Sequence, residues 1–380
     1  MTLQLVQKFR FVCAAVLVLM LAGCGKDDGI LTADVMKPAP TTLIDVLVST
    51  MRTPDPDPTI LFSAIRSKAL SFAEVTVSVP NERKAGSLTF PGRSVDLATD
   101  FAAVRIGRMN NQSDFVARIN KQLSVLPGGE KRVFVFVHGY NVNFAAGVFR
   151  HAQLMKDYQV PGVAVHFSWP SADNAGLYLY DRDSAEFARE GLVKTLDLVR
   201  KSNATQIVLL GHSMGGFLVM EALRTASLRG DTGLIRSLEA TILAAPDIDV
   251  DVFNQQLDAI QPMPEPFIVM VSSKDRALQL GQRLRGGSPR VGEGTDIEDI
   301  QARGITVIDL SQLDSPDRLN HSTFAASETL QKLMTGGVLD PLVQGNDAQA
   351  TEKALGAGLG GISDVLSNLV YLPARALGVR

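Results

Sequence analysis

One short stretch of this chain combines a serine with the glycine spacing that a nucleophile requires. The stretch reads Gly211-His212-Ser213-Met214-Gly215, which is a G-x-S-x-G motif. A serine held in a tight turn above a sheet leaves no room for side chains two residues away on either side. The motif therefore predicts that Ser213 is a nucleophile. The alternative is a glycine-rich turn that contains a serine by chance.

The residues around this motif supply the strand and the helix that position such a serine. Residues 207–210 are an apolar run typical of a buried strand, and residues 217–224 follow as a helix. From Val133 onward, apolar runs alternate with helical segments, which indicates a mainly parallel sheet flanked by helices. Together with the motif, this alternation predicts an α/β-hydrolase fold. Antiparallel lead-in strands are expected upstream at residues 75–79, 87–90 and 100–106.

His321 is the predicted base for this serine. A serine hydroxyl is a weak nucleophile at neutral pH unless a base, most often histidine, removes its proton. In this fold the three catalytic residues follow the chain order serine, acid, histidine. His321 is the only one of the five histidines that follows Ser213. It also comes after the last predicted strand, where the base of this fold belongs.

Two aspartates compete for the role of the acid that orients the histidine. Asp275 comes two residues after the apolar strand at residues 267–273, and Asp247 comes directly after the strand at residues 237–245. Either would lie at the carboxyl edge of the sheet, where the imidazole must be held. The strand count favours Asp275. Asp247 stays the alternative acid, unless it caps the next helix or lines the pocket.

Backbone amides are expected to stabilise the negative charge that develops on the substrate. One donor is the N–H of Met214, directly after the nucleophile. The other is expected from the loop after the strand at residues 132–137, and we assign it to Tyr140, although Asn141 is equally well placed. The His138 side chain in this loop is interpreted as a core or turn residue.

Aromatic side chains follow the strand at residues 162–168. They are Trp169, Tyr178 and Tyr180. Ligands of open α/β sheets bind beyond the carboxyl ends of the strands, so these side chains are candidates for a substrate pocket. The alternative is that they pack against the next helix.

Six blocks of sequence together resemble one known family. The chain is similar to the uncharacterised, esterase/lipase-like bacterial branch of the α/β-hydrolases that was catalogued as a domain of unknown function. The similarity spans roughly residues 74 to 334, and it implies a triad of Ser213, Asp275 and His321 with no metal and no organic cofactor. It implies no particular substrate. The six blocks are VFVHGYN at 135, FSWPS at 167, GHSMG at 211, AAPDID at 244, SSKDRAL at 272 and NHS at 320.

The expected activity is the hydrolysis of carboxylic esters through an acyl-enzyme. An amidase, a thioesterase or a transacylase would use the same triad, so the motifs do not separate these reactions. A hydrolase fold without activity, serving as a binding module on the cell envelope, is the alternative from another class. The net charge of −3 over 380 residues, with both signs interspersed, argues against a nucleic-acid partner. The oligomeric state stays open.

The amino terminus resembles a bacterial lipoprotein signal. Lys8 and Arg10 precede an apolar run that ends in Leu21-Ala-Gly-Cys24, similar to a lipobox. The resemblance implies cleavage before Cys24 and its lipidation, and hence a membrane partner in the envelope of a Gram-negative bacterium. Gly25 after the cysteine favours the outer membrane over the inner one.

The chain is therefore expected to divide into four segments. Prolines and aspartates between the anchor and the first strands indicate an extended linker. The glycine- and charge-rich residues 281–304 are expected to form a flexible surface loop. The segments are a signal peptide at 1–23, a flexible tether at 24–60, the α/β-hydrolase domain at 61–335 and a carboxyl-terminal extension at 336–380.

Overall fold

The centre of the molecule is a sheet of ten strands within the residues that the computed structural model describes, which are 30–31, 35–37, 39–91, 94–126, 131–284, 286–313, 315, 317–335 and 370–372. The strands are β1 (Val35–Lys37), β2 (Thr41–Pro54), β3 (Phe62–Pro80), β4 (Val95–Asp96), β5 (Ala102–Met109), β6 (Arg132–Val137), β7 (Val163–Ser168), β8 (Gln206–His212), β9 (Leu238–Ala244), β10 (Phe267–Val271), β11 (Thr306–Asp309) and β12 (Val370–Tyr371). The helices are α1 (Gln112–Leu123), α2 (Phe144–Asp157), α3 (Tyr178–Arg200), α4 (Met214–Leu228), α5 (Thr232–Arg236), α6 (Val250–Ala259), α7 (Arg276–Leu284), α8 (Ile297–Ala302), α9 (Thr323–Ala326) and α10 (Glu328–Thr335).

Most neighbouring strands of this sheet run parallel. The strand order is β12-β11-β10-β9-β8-β6-β7-β2-β3-β5, and every pair from β11 to β2 is parallel. The strands β3 and β5 continue the sheet antiparallel at one edge, and β12 pairs antiparallel with β11 at the other. The predicted α/β fold, with a mainly parallel sheet and antiparallel lead-in strands, is confirmed.

Both faces of the sheet are covered by apolar side chains. Along β6, Val133, Val135 and Val137 belong to one buried cluster, and Phe134 and Phe136 belong to another. Alternate residues of a strand point to opposite faces, so a strand buried on both sides is apolar throughout. The parallel strands consequently end at a common carboxyl edge, where the loops with the candidate site residues meet.

The strand β2 corrects the predicted tether. It lies inside the sheet, parallel to β7 and antiparallel to β3, and its residues 46–48 are completely inaccessible to solvent. The prediction of a tether over residues 24–60 is therefore wrong for Thr41–Pro54. The apolar residues 46–48 decide the structure here, because their burial outweighs the prolines and aspartates around them.

The predicted strand at residues 87–90 is absent, since these residues have no regular secondary structure. The backbone here is engaged in a turn instead. The Ser87 N–H donates to the carbonyl oxygen of Lys84 at 3.0 Å, and the Arg83 guanidinium donates to the Ser87 carbonyl at 2.9 Å.

The two ends of the chain lie largely outside the described residues. These undescribed parts include Cys24, the signal sequence and most of the carboxyl-terminal extension. From the extension, β12 adds a short strand to the sheet beside β11. None of the helices in the described part of the chain has the length and apolar character needed to cross a membrane.

Candidate active site

Ser213 occupies the sharp turn between β8 and α4. Its φ of 53° and ψ of −121° lie in a region that residues with a side chain rarely adopt. Such a conformation costs about 1–3 kcal/mol and persists only where the surroundings enforce it. Here the Ser213 N–H donates to the carbonyl oxygen of Ala244 at the end of β9, at 2.9 Å.

Two glycines allow the loop after β6 to pack directly against this turn. A Cβ atom at Gly215 would lie 2.3 Å from the carbonyl oxygen of His138. A Cβ atom at Gly139 would lie 3.0 Å from the Cβ of Ser213 and 2.8 Å from Nδ1 of His212. Side chains at these positions would push the two loops apart, so glycine is required for close approach of the backbone.

His321 and Asp275 form a hydrogen-bonded pair at the same edge of the sheet. The distance from His321 Nδ1 to Asp275 Oδ2 is 2.7 Å, and the Asp275 side chain is completely buried. The other carboxylate oxygen of Asp275 accepts the N–H of Leu278 at 3.0 Å. Burial opposes a charge on His321, but its hydrogen bond to the Asp275 carboxylate and the attraction of that charge outweigh burial and raise the pKa of His321.

The loop that carries His321 is fixed by Asp317. The Asp317 carboxylate accepts the backbone N–H groups of Leu319, His321 and Ser322 at 2.8–3.0 Å. The carbonyl oxygen of Leu319 in turn accepts the N–H of Arg276, next to Asp275, at 2.9 Å. The loops with the histidine and the acid are thereby joined through the backbone as well as through their side chains.

Asp247, the alternative acid, has other partners. Its Oδ2 accepts the hydroxyl of Tyr178 at 2.8 Å, and its Oδ1 lies 3.5 Å from Nε of the buried Arg290. Burial raises the pKa of Asp247 despite the positive charges around it. Arg290 belongs to the predicted flexible loop at 281–304, which instead contains α8 and the buried Val291. Of the two candidate acids, the structure brings Asp275 to the histidine.

The loop with the candidate oxyanion donor is held by hydrogen bonds to the segment that precedes α3 and to the first turn of α3. The N–H of Asn141, which the sequence left open as a donor, is directed to Asp181 Oδ2 at 3.1 Å. The hydroxyl of Tyr140 donates to the carbonyl oxygen of Ala175 at 2.6 Å. Between the two candidate residues, the amide of Asn141 is therefore engaged inside the protein.

Two charged residues that the sequence analysis did not single out hold this loop. Arg52 of β2 is 1% exposed and donates to the carbonyl oxygens of Val142, at 2.8 Å, and Ser171, at 3.1 Å. Asp181 of α3 accepts the Ser171 hydroxyl and the N–H of Ala172, both at 2.6 Å. Burial lowers the pKa of Arg52 to about 10 and raises that of Asp181. The sequence signal for this role is an arginine within an otherwise apolar strand. It was missed because the segment was interpreted as a tether.

The aromatic side chains predicted for the pocket have three different environments. Trp169 is completely buried and donates its Nε1–H to the carbonyl oxygen of His138 at 2.6 Å, so its assignment to the pocket is wrong. Tyr180 donates to the carbonyl oxygen of Ala64 in β3, at 2.9 Å. Tyr178 packs edge to face on Tyr140, with ring centroids 5.3 Å apart, and therefore lies next to the site.

A cavity of about 710 Å³ opens beside the histidine. Its wall combines the loop after β6, one face of α2, the loop that precedes α3, and the His321 loop. The buried Trp169 does not line this cavity, whereas Tyr140 and Leu177 do. Charged and titratable residues in the wall are His138, Arg150, Asp173, His212 and His321.

Three further histidines lie buried between the sheet and α2. The ring of His166 lies 5.5 Å from that of His138 and 5.9 Å from that of His151, between centroids. Burial lowers the pKa of His138 and of His151 to about 3, so both are neutral at physiological pH. Within the described residues, no group of three or more His, Cys, Asp or Glu side chains is arranged to hold a metal ion.

Comparison with known proteins identifies the family of this chain. The model of a family described as "Alpha/beta hydrolase of unknown function (DUF900)" matches residues 111–336. No curated protein matches the chain.

Several solved structures are similar to the chain at low identity. A hyperthermophilic esterase from Pyrobaculum calidifontis is 11% identical, with a TM-score of 0.35 over 93% of this chain and 91% of that one. A dienelactone hydrolase-like promiscuous phosphotriesterase from metagenomic libraries is 11% identical, with a TM-score of 0.33 over 87% and 99%. Esterase B from Lactobacillus rhamnosis is 14% identical, with a TM-score of 0.29 over 61% and 74%.

Proposed function

Since the chain belongs to the DUF900 family of α/β-hydrolases, we propose that it is a serine hydrolase of carboxylic esters with Ser213, Asp275 and His321 as its catalytic residues. The observation that carries the proposal is the 2.7 Å hydrogen bond between His321 and Asp275, formed beside the strained turn that presents Ser213. A base with a fixed ring orientation, at the same edge of the sheet as a serine on such a turn, is the arrangement that acyl transfer requires.

In the proposed reaction, the Ser213 oxygen attacks the ester carbonyl carbon while His321 takes the hydroxyl proton. His321 then gives that proton to the departing alcohol, which leaves an acyl-enzyme. Water attacks the acyl group by the same route and restores Ser213. Asp275 holds the imidazole in one tautomer and stabilises its positive charge in each transition state.

We assign the stabilisation of the negative charge on the carbonyl oxygen to two backbone donors, the N–H groups of Met214 and Tyr140. The choice of Tyr140 over Asn141 is supported by the bond from the Asn141 N–H to Asp181. Donors held in place before the reaction need no reorganisation, and the loss of one costs on the order of a hundredfold or more in rate.

The test is the hydrolysis of short 4-nitrophenyl esters by the wild type and by Ser213→Ala, together with labelling by a fluorophosphonate probe. We expect turnover and labelling in the wild type and neither in Ser213→Ala, with circular dichroism unchanged. Ser113→Ala, at an exposed position of α1, is the matched control and should retain both. Ester turnover by Ser213→Ala would overturn the assignment, and a wild type without label or turnover would favour an inactive binding module. Amide and thioester substrates in the same assay test the related reactions.

We further propose that Cys24 is lipidated and anchors the protein to an envelope membrane, as its lipobox-like sequence suggests. Cells fed an alkyne-tagged fatty acid should label the wild type and not Cys24→Ser, and the variant should leave the membrane fraction. Equal labelling of both proteins would contradict the proposal. Density separation of the membranes tests the expected preference for the outer one.

A further inference from the structure

Arg150 brings a positive charge to the cavity beside the candidate triad. It lies on α2, on the same face as Ala146 and Gly147, and all three line the cavity. The two small residues leave space in front of the helix. The Arg150 side chain is partly accessible at the wall of this space, so a ligand in the cavity can reach it.

Most of the hydrogen-bonding capacity of this guanidinium is unused among the residues that the structure describes. Its one hydrogen bond to a described residue runs from Nη1 to Oε1 of Gln153, at 2.8 Å. A guanidinium has five N–H donors and stays charged at neutral pH. In the described part of the chain, no carboxylate oxygen lies within the 4.0 Å that defines an ion pair with it.

The two acids whose charges act on Arg150 are committed elsewhere. They are Asp157 and Asp317. Asp157 forms an ion pair with Arg83 and accepts the N–H of Gly86 at 2.7 Å. Asp317 accepts the three backbone N–H groups that fix the His321 loop. Neither acid can turn to Arg150 without giving up bonds that hold its own segment.

Arg150 also lies close to the reacting groups. Its charge acts on His212, whose ring lies 4.7 Å from that of His321, between centroids. His212, His321 and Arg150 line the same cavity. Gly139, which packs closely against Ser213, lines this cavity as well. A substrate whose ester carbonyl is at Ser213 can therefore extend into the cavity, towards the guanidinium.

We propose that Arg150 binds a carboxylate or similar anion of the substrate, so that the preferred substrates are esters with a second, negatively charged group. A partly buried, largely unpaired guanidinium is the side chain best suited to hold a carboxylate through two hydrogen bonds. The apolar part of the wall, formed by Leu88, Phe90, Tyr140 and Leu177, would cover the apolar carbons between the ester and the anion, while Asp173 is the one carboxylate among the described residues of the wall. This inference rests on the proposed ester hydrolysis and specifies its substrate class.

The test compares pairs of esters of similar size, in which one member carries a carboxylate and the other an uncharged group in its place. The first pair is the mono-4-nitrophenyl ester of glutaric acid and 4-nitrophenyl pentanoate, which place the anion on the acyl side. The second pair is the butyrate ester of 4-hydroxybenzoate and that of methyl 4-hydroxybenzoate, which place it on the alcohol side. Uncatalysed rates are subtracted. For one of these pairs, Arg150→Gln should lower the ratio of kcat/KM for the charged over the neutral ester by about 10- to 100-fold. Arg150→Lys should retain part of this ratio.

The ratio separates binding of an anion from a merely structural role. If Arg150 only supported the His321 loop, both members of a pair would slow together and the ratio would stay constant, which would overturn the inference. Arg189→Gln removes the same charge from a partly exposed position of α3 outside the cavity and should leave both ratios within about twofold of the wild type.

A binding measurement keeps the inference testable if no ester is hydrolysed. Titration calorimetry with glutarate on Ser213→Ala, and on the double variant that also carries Arg150→Gln, reports the anion site without turnover. Binding that is lost in the double variant supports the site even if the proposed reaction fails. No binding, or equal binding by both proteins, overturns it.

Discussion

His321 and the buried histidines show how one type of side chain acquires opposite properties in two regions of the molecule. His321 is hydrogen-bonded to the carboxylate of Asp275, which raises its pKa. His151 is packed between α2 and the sheet, against Phe134 and Phe136, with both ring nitrogens unpartnered among the described residues. Burial lowers its pKa to about 3.

The difference between these regions shows that burial alone does not prepare a histidine for catalysis. Burial disfavours the charged form of both rings, although the His321 side chain keeps 18% of its surface exposed. Only the ring that faces a carboxylate can carry a proton at the pH where an ester is cleaved. The carboxylate therefore distinguishes a catalytic base from a histidine of the core.

Removal of the base should have the largest effect. His321→Ala should lower kcat for a 4-nitrophenyl ester by on the order of 10⁶-fold, because no other group can take the proton from Ser213. His151→Phe, which fills a similar volume in the core, should keep a rate close to that of the wild type. Initial rates at saturating substrate measure both. A severe loss of activity in His151→Phe with an intact fold would contradict the distinction between the two histidines.

Substitution of the two acids at the sheet edge should have opposite effects on activity and on stability. Asp275→Asn should lower kcat by about 10⁴-fold, because an amide holds the imidazole in the wrong tautomer. Asp247→Asn should affect kcat far less, but it should cost about 3 kcal/mol in the free energy of unfolding, because it leaves the buried Arg290 without its counter-charge. Steady-state kinetics and urea denaturation of both variants give the two quantities. The reverse pattern would make Asp247 the triad acid.

The pH dependence of the reaction should report the raised pKa of His321. The base must be neutral to accept a proton, so kcat/KM should rise with pH and level off above a midpoint that lies higher than the ordinary 6.5 of histidine. In Asp275→Asn, the residual activity should have a midpoint at lower pH, because the carboxylate no longer stabilises the charged ring. A midpoint that is the same in both proteins would contradict the assigned source of the shift.

The pH dependence of stability should report the buried histidines. His138 and His151 have lowered pKa values in the folded protein, so their contribution is complete above about pH 6.5 and is lost as the pH falls towards 3. The free energy of unfolding should fall by about 1.4 kcal/mol per pH unit for each of them in this range. His151→Phe should remove one such share, which urea denaturation at pH 7, 5.5 and 4.5 can measure. Wild-type and variant curves that stay parallel would exclude this role.

The contribution of His321 to stability has the opposite pH dependence. Its pKa is raised in the folded protein, so its stabilisation is complete below pH 6.5 and is lost as the pH rises.

Much of the fold was predictable because the strands that carry it are apolar on both faces. From β6 onward, continuous apolar runs alternate with helical segments, and each run appears as a strand in the sheet. The segment before β6 was less predictable. In β2, prolines and aspartates after the strand suggested a linker, although residues 46–48 are as deeply buried as any in the sheet.

The candidate site was predictable where chain order alone constrains it, as for Ser213 and His321. The acid was left open because Asp247 and Asp275 both follow parallel strands and end at the same edge. The structure separates them because Asp247 pairs with Arg290, whereas Asp275 bonds His321. The sequence gives no sign of the first pair, since Arg290 lies in a segment without a periodic pattern. Trp169 was misassigned for a related reason, because an aromatic residue at the end of a strand can turn into the core once its N–H has an acceptor.

The position of β2 has a consequence for the order in which the protein can fold. This strand is the first long one to be synthesised, yet its parallel neighbour β7 begins more than a hundred residues later, with Val46 opposite Ala164. Contacts between such distant segments slow folding. During synthesis, β2 and β3 can pair with each other as a hairpin, but β2 cannot pair with β7 until β7 has been made. A chain shortened to begin at residue 61 would lack β2 and expose the edge of β7 as an unpaired template for aggregation. Although β2 is made early, it can therefore join its parallel neighbour in the sheet only after β7 has been made.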